Sequence, residues 1–256
     1  MAQNLLPRAF REAAYRRKFI DNVDEHLFMG SYQSFEAAAA AAPTSKPMGF
    51  DNAAEARRLF SQKIFFYDYP ALFWIARSFE DGLRSVFDLG GHAGIKYYAF
   101  RRVLNYPTGM RWKTCDVAGV IQAGREIAAE RGIGEELSFT SDYKEASGFD
   151  ALFISGCLQF LPERMPQILA ALPVNRIILN TTTVHPERTI FTVHSLGFGF
   201  CPYRIQKYDE LMAELVEAGY VRRDAWRNEG KLIEIPFIEG GDAAYYAGCC
   251  FDLRSG

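Results

Sequence analysis

The stretch Val86-Phe87-Asp88-Leu89-Gly90-Gly91-His92-Ala93-Gly94 carries the clearest chemistry in the chain: an apolar run ends in an acid, and glycines follow. Glycine lets the backbone approach a ligand closely and adopt dihedrals closed to other residues. Nicotinamide-binding enzymes place G-x-G-x-x-G at such a turn to seat a pyrophosphate on a helix N-terminus. Here His92 stands at the second glycine position. Asp88 sets a carboxylate toward the ligand, which suits an ammonium group better than a pyrophosphate. Asp116 and Val117 close a second β-rich run, about 28 residues after Asp88; a carboxylate there can accept hydrogen bonds from two hydroxyls. Asp142-Tyr143 follow a third such run, and Ser155-Gly156-Cys157-Leu158-Gln159 a fourth. The long segment from Thr181 to Tyr208 adds His185, Glu187, Arg188, His194 and Cys201-Pro202-Tyr203-Arg204. Imidazole can serve as a general base toward a hydroxyl, and Arg188 or Arg204 can hold a phosphate or carboxylate. The plain structural alternatives are a helix cap for Asp116, a turn for Asp142, packing for Cys157 and Leu158, and surface or structural roles for the histidines and arginines.

The glycine turn resembles the first motif of the class I S-adenosylmethionine (SAM)-dependent methyltransferases, Asp/Glu-x-Gly-x-Gly-x-Gly. Asp88, Gly90 and Gly94 match it, and His92 departs at the middle glycine. SAM carries both an ammonium and a cationic sulfonium. The wording is similar to a narrower group of bacterial methyltransferases with D-F-G-G-x-x-G at this turn, associated with surface-polysaccharide or lipopolysaccharide synthesis. That resemblance extends to Met29–Ala37, Tyr69–Leu72, Trp112, Leu158–Phe160 and Cys201–Ile205. It implies SAM as cofactor, with Asp88, Gly90, Gly91, His92 and Gly94 at its turn, Asp116 and Val117 at the ribose, and Asp142 and Tyr143 at the adenine. Ser155 and Gly156 would line the methionine side. Gln159, Arg188, Arg204 and Tyr69 would face a small acceptor, with a sugar or glycan hydroxyl preferred. His185, or else His194, would be the base. The Ser-Gly-Cys-Leu-Gln run replaces the Asn/Asp-Pro-Pro-aromatic signature of amino-group methylation, and Cys157 lacks the Pro-Cys context of C5 methylation.

These turns need a frame. Helical spacing is expected over 4–19, from Phe35 to Ala42 after the N-cap Ser34, from an Asp51 cap to Phe60, and from Tyr69-Pro70 onward. The first 82 residues therefore read as a helical N-terminal cap region. From Ser85 the pattern alternates. Strands are expected at 85–89, 112–115, 137–140, 151–155 and 176–181, and helices at 94–104, 118–131, 162–172 and 208–218. That alternation predicts an α/β domain over 83–256, Rossmann-like and doubly wound, with a mostly parallel sheet. Runs at 220–226, 232–237 and 245–253 predict an antiparallel C-terminal hairpin on it.

Composition sets the bounds. The 256 residues carry a net charge of −2, which argues against general nucleic-acid binding. No apolar run reaches membrane-span length, and arginines interrupt the N-terminal apolar residues, so a cytoplasmic protein is expected. The five cysteines, Cys115, Cys157, Cys201, Cys249 and Cys250, include no C-x-x-C pair, so reduced thiols and no metal site are expected. Two rival readings stand beside methyl transfer: a SAM-binding scaffold without turnover, and a nicotinamide oxidoreductase disfavoured by Asp88 and His92. The oligomeric state is not legible.

Overall fold

The computed structural model describes residues 7–170 and 174–254. It opens with α1 (Arg8–Ile20), β1 (Leu27–Tyr32), α2 (Phe35–Ala41), α3 (Ala53–Leu59) and α4 (Tyr69–Glu80). Leu5 and Leu6 of the expected first helix, and 171–172 of the expected helix over 162–172, lie outside the described residues. Ser34 caps α2 by accepting from the Ala37 amide at 3.1 Å. Asn52, not Asp51, caps α3, accepting from the Glu55 amide. Asp51 instead accepts from the Gly119 amide at 2.6 Å, in the first turn of a helix far along the chain. Pro70 starts α4 as expected. Residues 7–82 are mostly helical but not wholly so, because Leu27–Tyr32 forms a strand.

The alternating part follows as β2 (Ser85–Leu89), α5 (Ile95–Arg101), β3 (Arg111–Cys115), α6 (Ala118–Glu130), β4 (Leu137–Thr140), β5 (Ala151–Ser155), α7 (Met165–Ala170) and β6 (Arg176–His185). Then come β7 (Ile190–Ser195), β8 (Phe200–Lys207), α8 (Tyr208–Glu217), β9 (Tyr220–Arg227) and β10 (Tyr245–Leu253). The expected strand over 232–237 does not form: that stretch is irregular. Strands β4-β3-β2-β5-β6 are parallel neighbours, and β10 pairs antiparallel with both β6 and β9. The result is a mostly parallel, doubly wound sheet with an antiparallel pair at one side.

Alternate residues of each strand feed two cores, as the two-residue period of a sheet requires. Phe87, Leu89, Leu152 and Ile154 pack toward α7 and α8. Val86, Trp112, Phe153 and Ile178 pack toward α4 and α5, against Ala71, Ile75, Tyr97 and Phe100. A third assembly was not expected from sequence. The segment after Thr181 is not a loop: β6 continues to His185, β7 and β8 form an antiparallel pair, and β1 joins β7. This small sheet hangs from the carboxyl end of β6, where Val184 and His185 pair with Gln206 and Lys207. Among the described residues no helix is long and apolar enough to cross a membrane.

Candidate functional site

A cavity of about 450 Å³ opens at the carboxyl ends of the parallel strands, within the range of small-molecule sites. Leu89 at the end of β2 and Gly90 after it, Asp116 and Val117 after β3, and Gly156 and Cys157 after β5 form its inner wall. Ser141 and Tyr143 close one side, and Phe50, Phe160, Leu196 and Phe198 another. Another groove, between α7 and α8, is lined by Arg164, Glu210 and Glu214.

The turn is built as its glycines demand. Gly90 and Gly94 have φ of +73° and +80°, and His92 adopts +56°, a left-handed conformation that histidine tolerates better than most residues. A Cβ on Gly90 would lie 2.2 Å from the Cys157 side chain, so the β2 and β5 turns touch here. A Cβ on Gly91 would lie 2.3 Å from Asp88 Oδ2.

That contact corrects the role of Asp88. Its side chain is fully buried beneath the turn, Oδ2 accepts from Trp112 Nε1 at 3.1 Å, and Oδ1 has no partner. It does not line the cavity, because it shares the sheet face of Val86 while Leu89 faces the ligand side. Desolvation pushes its carboxyl up to about 7. Asp116 is the carboxylate on the wall. Oδ2 accepts from the His92 amide and Oδ1 from the Val117 amide, each at 2.8 Å. Burial raises it to about 6. Two oxygens with about four lone-pair sites leave room for two further donors. Asp142 is an exposed cap of the 3₁₀ turn Tyr143–Ala146, accepting from the Lys144 amide at 2.9 Å; its neighbours Ser141 and Tyr143 reach the wall. Ser155 faces Thr181 Oγ1 at 3.3 Å and lies off the wall. His92 lines the cavity, and burial lowers its imidazole to about 4.

The acceptor-side residues divide differently from expectation. His185 does not reach the cavity: Nε2 is 3.0 Å from the Gly240 carbonyl, and Nδ1 accepts from the Glu187 and Arg188 amides, so the ring locks a turn. His194 stands behind the wall, against the rings of Phe50 and Phe160. Its Nε2 lies 3.2 Å from His26 Nδ1, and desolvation holds it well below the usual imidazole value. Arg204 is buried and donates to the carbonyls of Leu158, Pro162 and Glu163 at 3.3, 3.0 and 2.8 Å. Arg188 is tied to the Glu239 carbonyl, and Tyr69 is exposed at the start of α4. None of these five lines the cavity. Gln159 is buried, donating to the Thr181 carbonyl at 3.3 Å while its Oε1 has no partner. Sequence reasoning missed Phe50 and the Leu196–Phe198 turn. Burial lifts the wall thiols, Cys115 and Cys201 to about 12 and Cys157 well above the usual thiol value.

No family model matches the chain, and no curated protein matches it in sequence. Solved structures do share the fold. The Burkholderia thailandensis 1,6-didemethyltoxoflavin-N1-methyltransferase, with bound 1,6-didemethyltoxoflavin and S-adenosylhomocysteine, superposes with TM-score 0.51 at 19% identity, over 74% of this chain and 79% of that one. The CcbJ methyltransferase from Streptomyces caelestis gives 0.51 at 14% identity, over 80% and 97%. The magnesium protoporphyrin IX methyltransferase from Synechocystis PCC 6803, with bound S-adenosylhomocysteine, gives 0.50 at 15%, over 80% and 96%. The fold is thus the Rossmann-like fold of the class I SAM-dependent methyltransferases.

Proposed function

We propose that this chain is a SAM-dependent methyltransferase acting on a small acceptor. One observation carries the reading. The glycine turn, a cavity-facing carboxylate and the β5 turn meet at a single cavity on the carboxyl edge, where open α/β sheets bind their ligands. The cavity walls fit the cofactor. Gly90 and Gly156 bring bare backbone to the wall with φ of +73° and +75°, Asp116 offers its remaining lone pairs to ribose hydroxyls, and Tyr143, Val117 and Ser141 offer a slot for adenine. When bound, SAM supplies a sulfonium-activated methyl group.

The chain's own residues align and exclude water. Phe50, Phe160, Leu196 and Phe198 screen the cavity's other side, and desolvation with alignment accounts for much of the rate in such displacements. The expected base is not on the wall. His185 is locked in a turn, His194 is sealed behind two phenyl rings, and His92 is held near 4 by burial. We retain a sugar or glycan hydroxyl as the acceptor, as the sequence resemblance implies, with catalysis resting on positioning. The test is calorimetry with S-adenosylhomocysteine and NADH, followed by turnover with labelled SAM on candidate glycans. Binding of the first ligand and not the second is expected. Tighter binding of NADH overturns the reading.

A further inference from the structure

A second polar group occupies the carboxyl edge, and none of its members lines the glycine cavity. Asn180 Oδ1 accepts from Trp226 Nε1 at 3.1 Å and from Asn228 Nδ2 at 3.2 Å, and Asn228 Nδ2 also donates to the Tyr67 carbonyl at 3.0 Å. Next along β6, Thr181 adopts φ +47°, an uncommon and costly conformation for a β-branched residue. Two side chains hold it there: its amide donates to Asn228 Oδ1, and its carbonyl accepts from Gln159, whose Oε1 remains buried and unpartnered. The strain falls within β6, at a bulge in its pairing with β10, and polar side chains hold it there.

The charges do not balance. Lys96 pairs with the fully buried Asp68 at 2.6 Å, which cancels both. Lys231, from the irregular segment after β9, has no hydrogen bond or ion pair among the described residues. Its Nζ lies over the rings of Tyr246 and Tyr67, 4.4 and 5.3 Å from their centroids. It is half-buried, and burial, with Lys96 adding and the Asp68 carboxylate opposing, lowers it to about 8. His26 and His194, the imidazoles that Lys231 acts on, are both lowered by burial and by Lys231, and an imidazole offers no counter-charge in either form. The one carboxylate that acts on Lys231, Asp68, is already bonded to Lys96, and a desolvated cation without an ion-pair partner of its own is stabilised when an anion arrives.

We propose that Lys231, caged by Tyr67 and Tyr246, binds an anionic group, phosphate or carboxylate, on the methyl acceptor. This rests on the methyltransferase reading. Arg188 and Arg204, the cations expected to do this from sequence, are both tied to backbone carbonyls; Lys231 is not. The two sites adjoin: the space a Cβ on Gly156 would occupy, at the cavity wall, lies 3.2 Å from Thr181 Oγ1. The anion belongs to the second ligand because the cavity is walled from the ends of β2, β3 and β5. The Lys231 group comes from β6, β10, the approach to α4 and the segment after β9.

The test follows the Lys231 ε-methylene signal by NMR in lysine-labelled full-length protein saturated with S-adenosylhomocysteine. Lys231→Met, which keeps the stem against the tyrosines, identifies the signal. Inorganic phosphate and acetate are titrated separately at about 10 mM against chloride of equal ionic strength. One of them is expected to raise the Lys231 titration midpoint by about 0.5 pH unit or more, with Lys96 unmoved. Phosphate alone points to a phosphorylated acceptor, acetate alone to a carboxylated one. In Lys231→Met the affinity for S-adenosylhomocysteine should stay within about twofold. The proposal is overturned if neither anion moves the signal. It is equally overturned if the variant loses about tenfold for S-adenosylhomocysteine but nothing for methylthioadenosine, because Lys231 would then serve the cofactor's own carboxylate. If S-adenosylhomocysteine fails to bind while the anion shift persists in the free protein, the methyltransferase reading falls and takes the acceptor assignment with it.

Discussion

Asp88 and Asp116 are both acids at strand ends, and the fold gives them opposite jobs. Asp116 stands on the cavity wall and fastens the His92 amide. Asp116→Ala should therefore weaken S-adenosylhomocysteine binding by roughly 1.5–3 kcal/mol, the usual loss for hydrogen bonds to a charged group. Calorimetry beside a thermal melt checks this, and unchanged affinity in a folded variant would reduce Asp116 to a turn clamp. Asp88 predicts a pH effect instead. Its carboxyl titrates at about 7 in the fold against an ordinary 3.8, so the folded state holds the proton more tightly. Its contribution is full below about 3.8 and is lost as pH rises toward 7. Asp88→Asn lacks that titration, so its stability relative to the parent should climb between pH 4 and 7.5, by roughly 4 kcal/mol at most. Urea unfolding at both pH values reads the difference, and a flat difference would mean that Asp88 is not desolvated as described. The spacing of acids and glycines made the turn legible in sequence. Which acid faces the ligand was not legible, because it depends on the strand's pleat and on Trp112 lying across from it.

The regular βα part of the chain was readable because its apolar runs are short, bounded by glycine or polar turns and separated by helices with a 3.6-residue period. β4, β5 and β10 fall where the pattern places them. The β1, β7 and β8 sheet was not read, although Ile190–Ser195 is rich in strand-forming residues and Leu196-Gly197-Phe198-Gly199 has the makings of a turn. Pro202 sits within β8 although a proline supplies no donor to a strand ladder. It is accommodated because that part of β8 pairs with Val193 of β7, while β6 reaches β8 only at Gln206 and Lys207. Arg204, on the same strand, ties β8 to the turn after β5 through three carbonyls. Arg204→Met should cost roughly 2–4 kcal/mol in urea unfolding, because those buried acceptors lose charged donors. A change below about 0.5 kcal/mol would show that the turn holds without the clamp.

At the scale of the whole molecule, the leading residues belong to the sheet as much as to a cap. β1 pairs with β7 along Leu27–Tyr32, Phe19 of α1 stacks on Phe200 of β8 at 5.3 Å, and Asp51 caps α6. α4 contributes more, since Ala71 and Ile75 are fully buried in the core that also holds Val86 and Ile178. Asp81, at the end of α4, joins Asp252 in pairing with the buried Arg176, at 2.9 and 2.6 Å. Residues 83–256 alone would therefore expose one sheet face, leave β7 as an open apolar edge and strip a carboxylate from a buried guanidinium. Each loss alone is costly, and an uncovered sheet edge invites association. The segment 83–256 should show no cooperative thermal transition and should elute as aggregate, whereas adding 1–82 as a separate chain during refolding should restore part of the native far-UV signal. A cooperative melt within about 5 °C of the full chain would show instead that the α/β unit is self-sufficient and that the first 82 residues are an appendage to it.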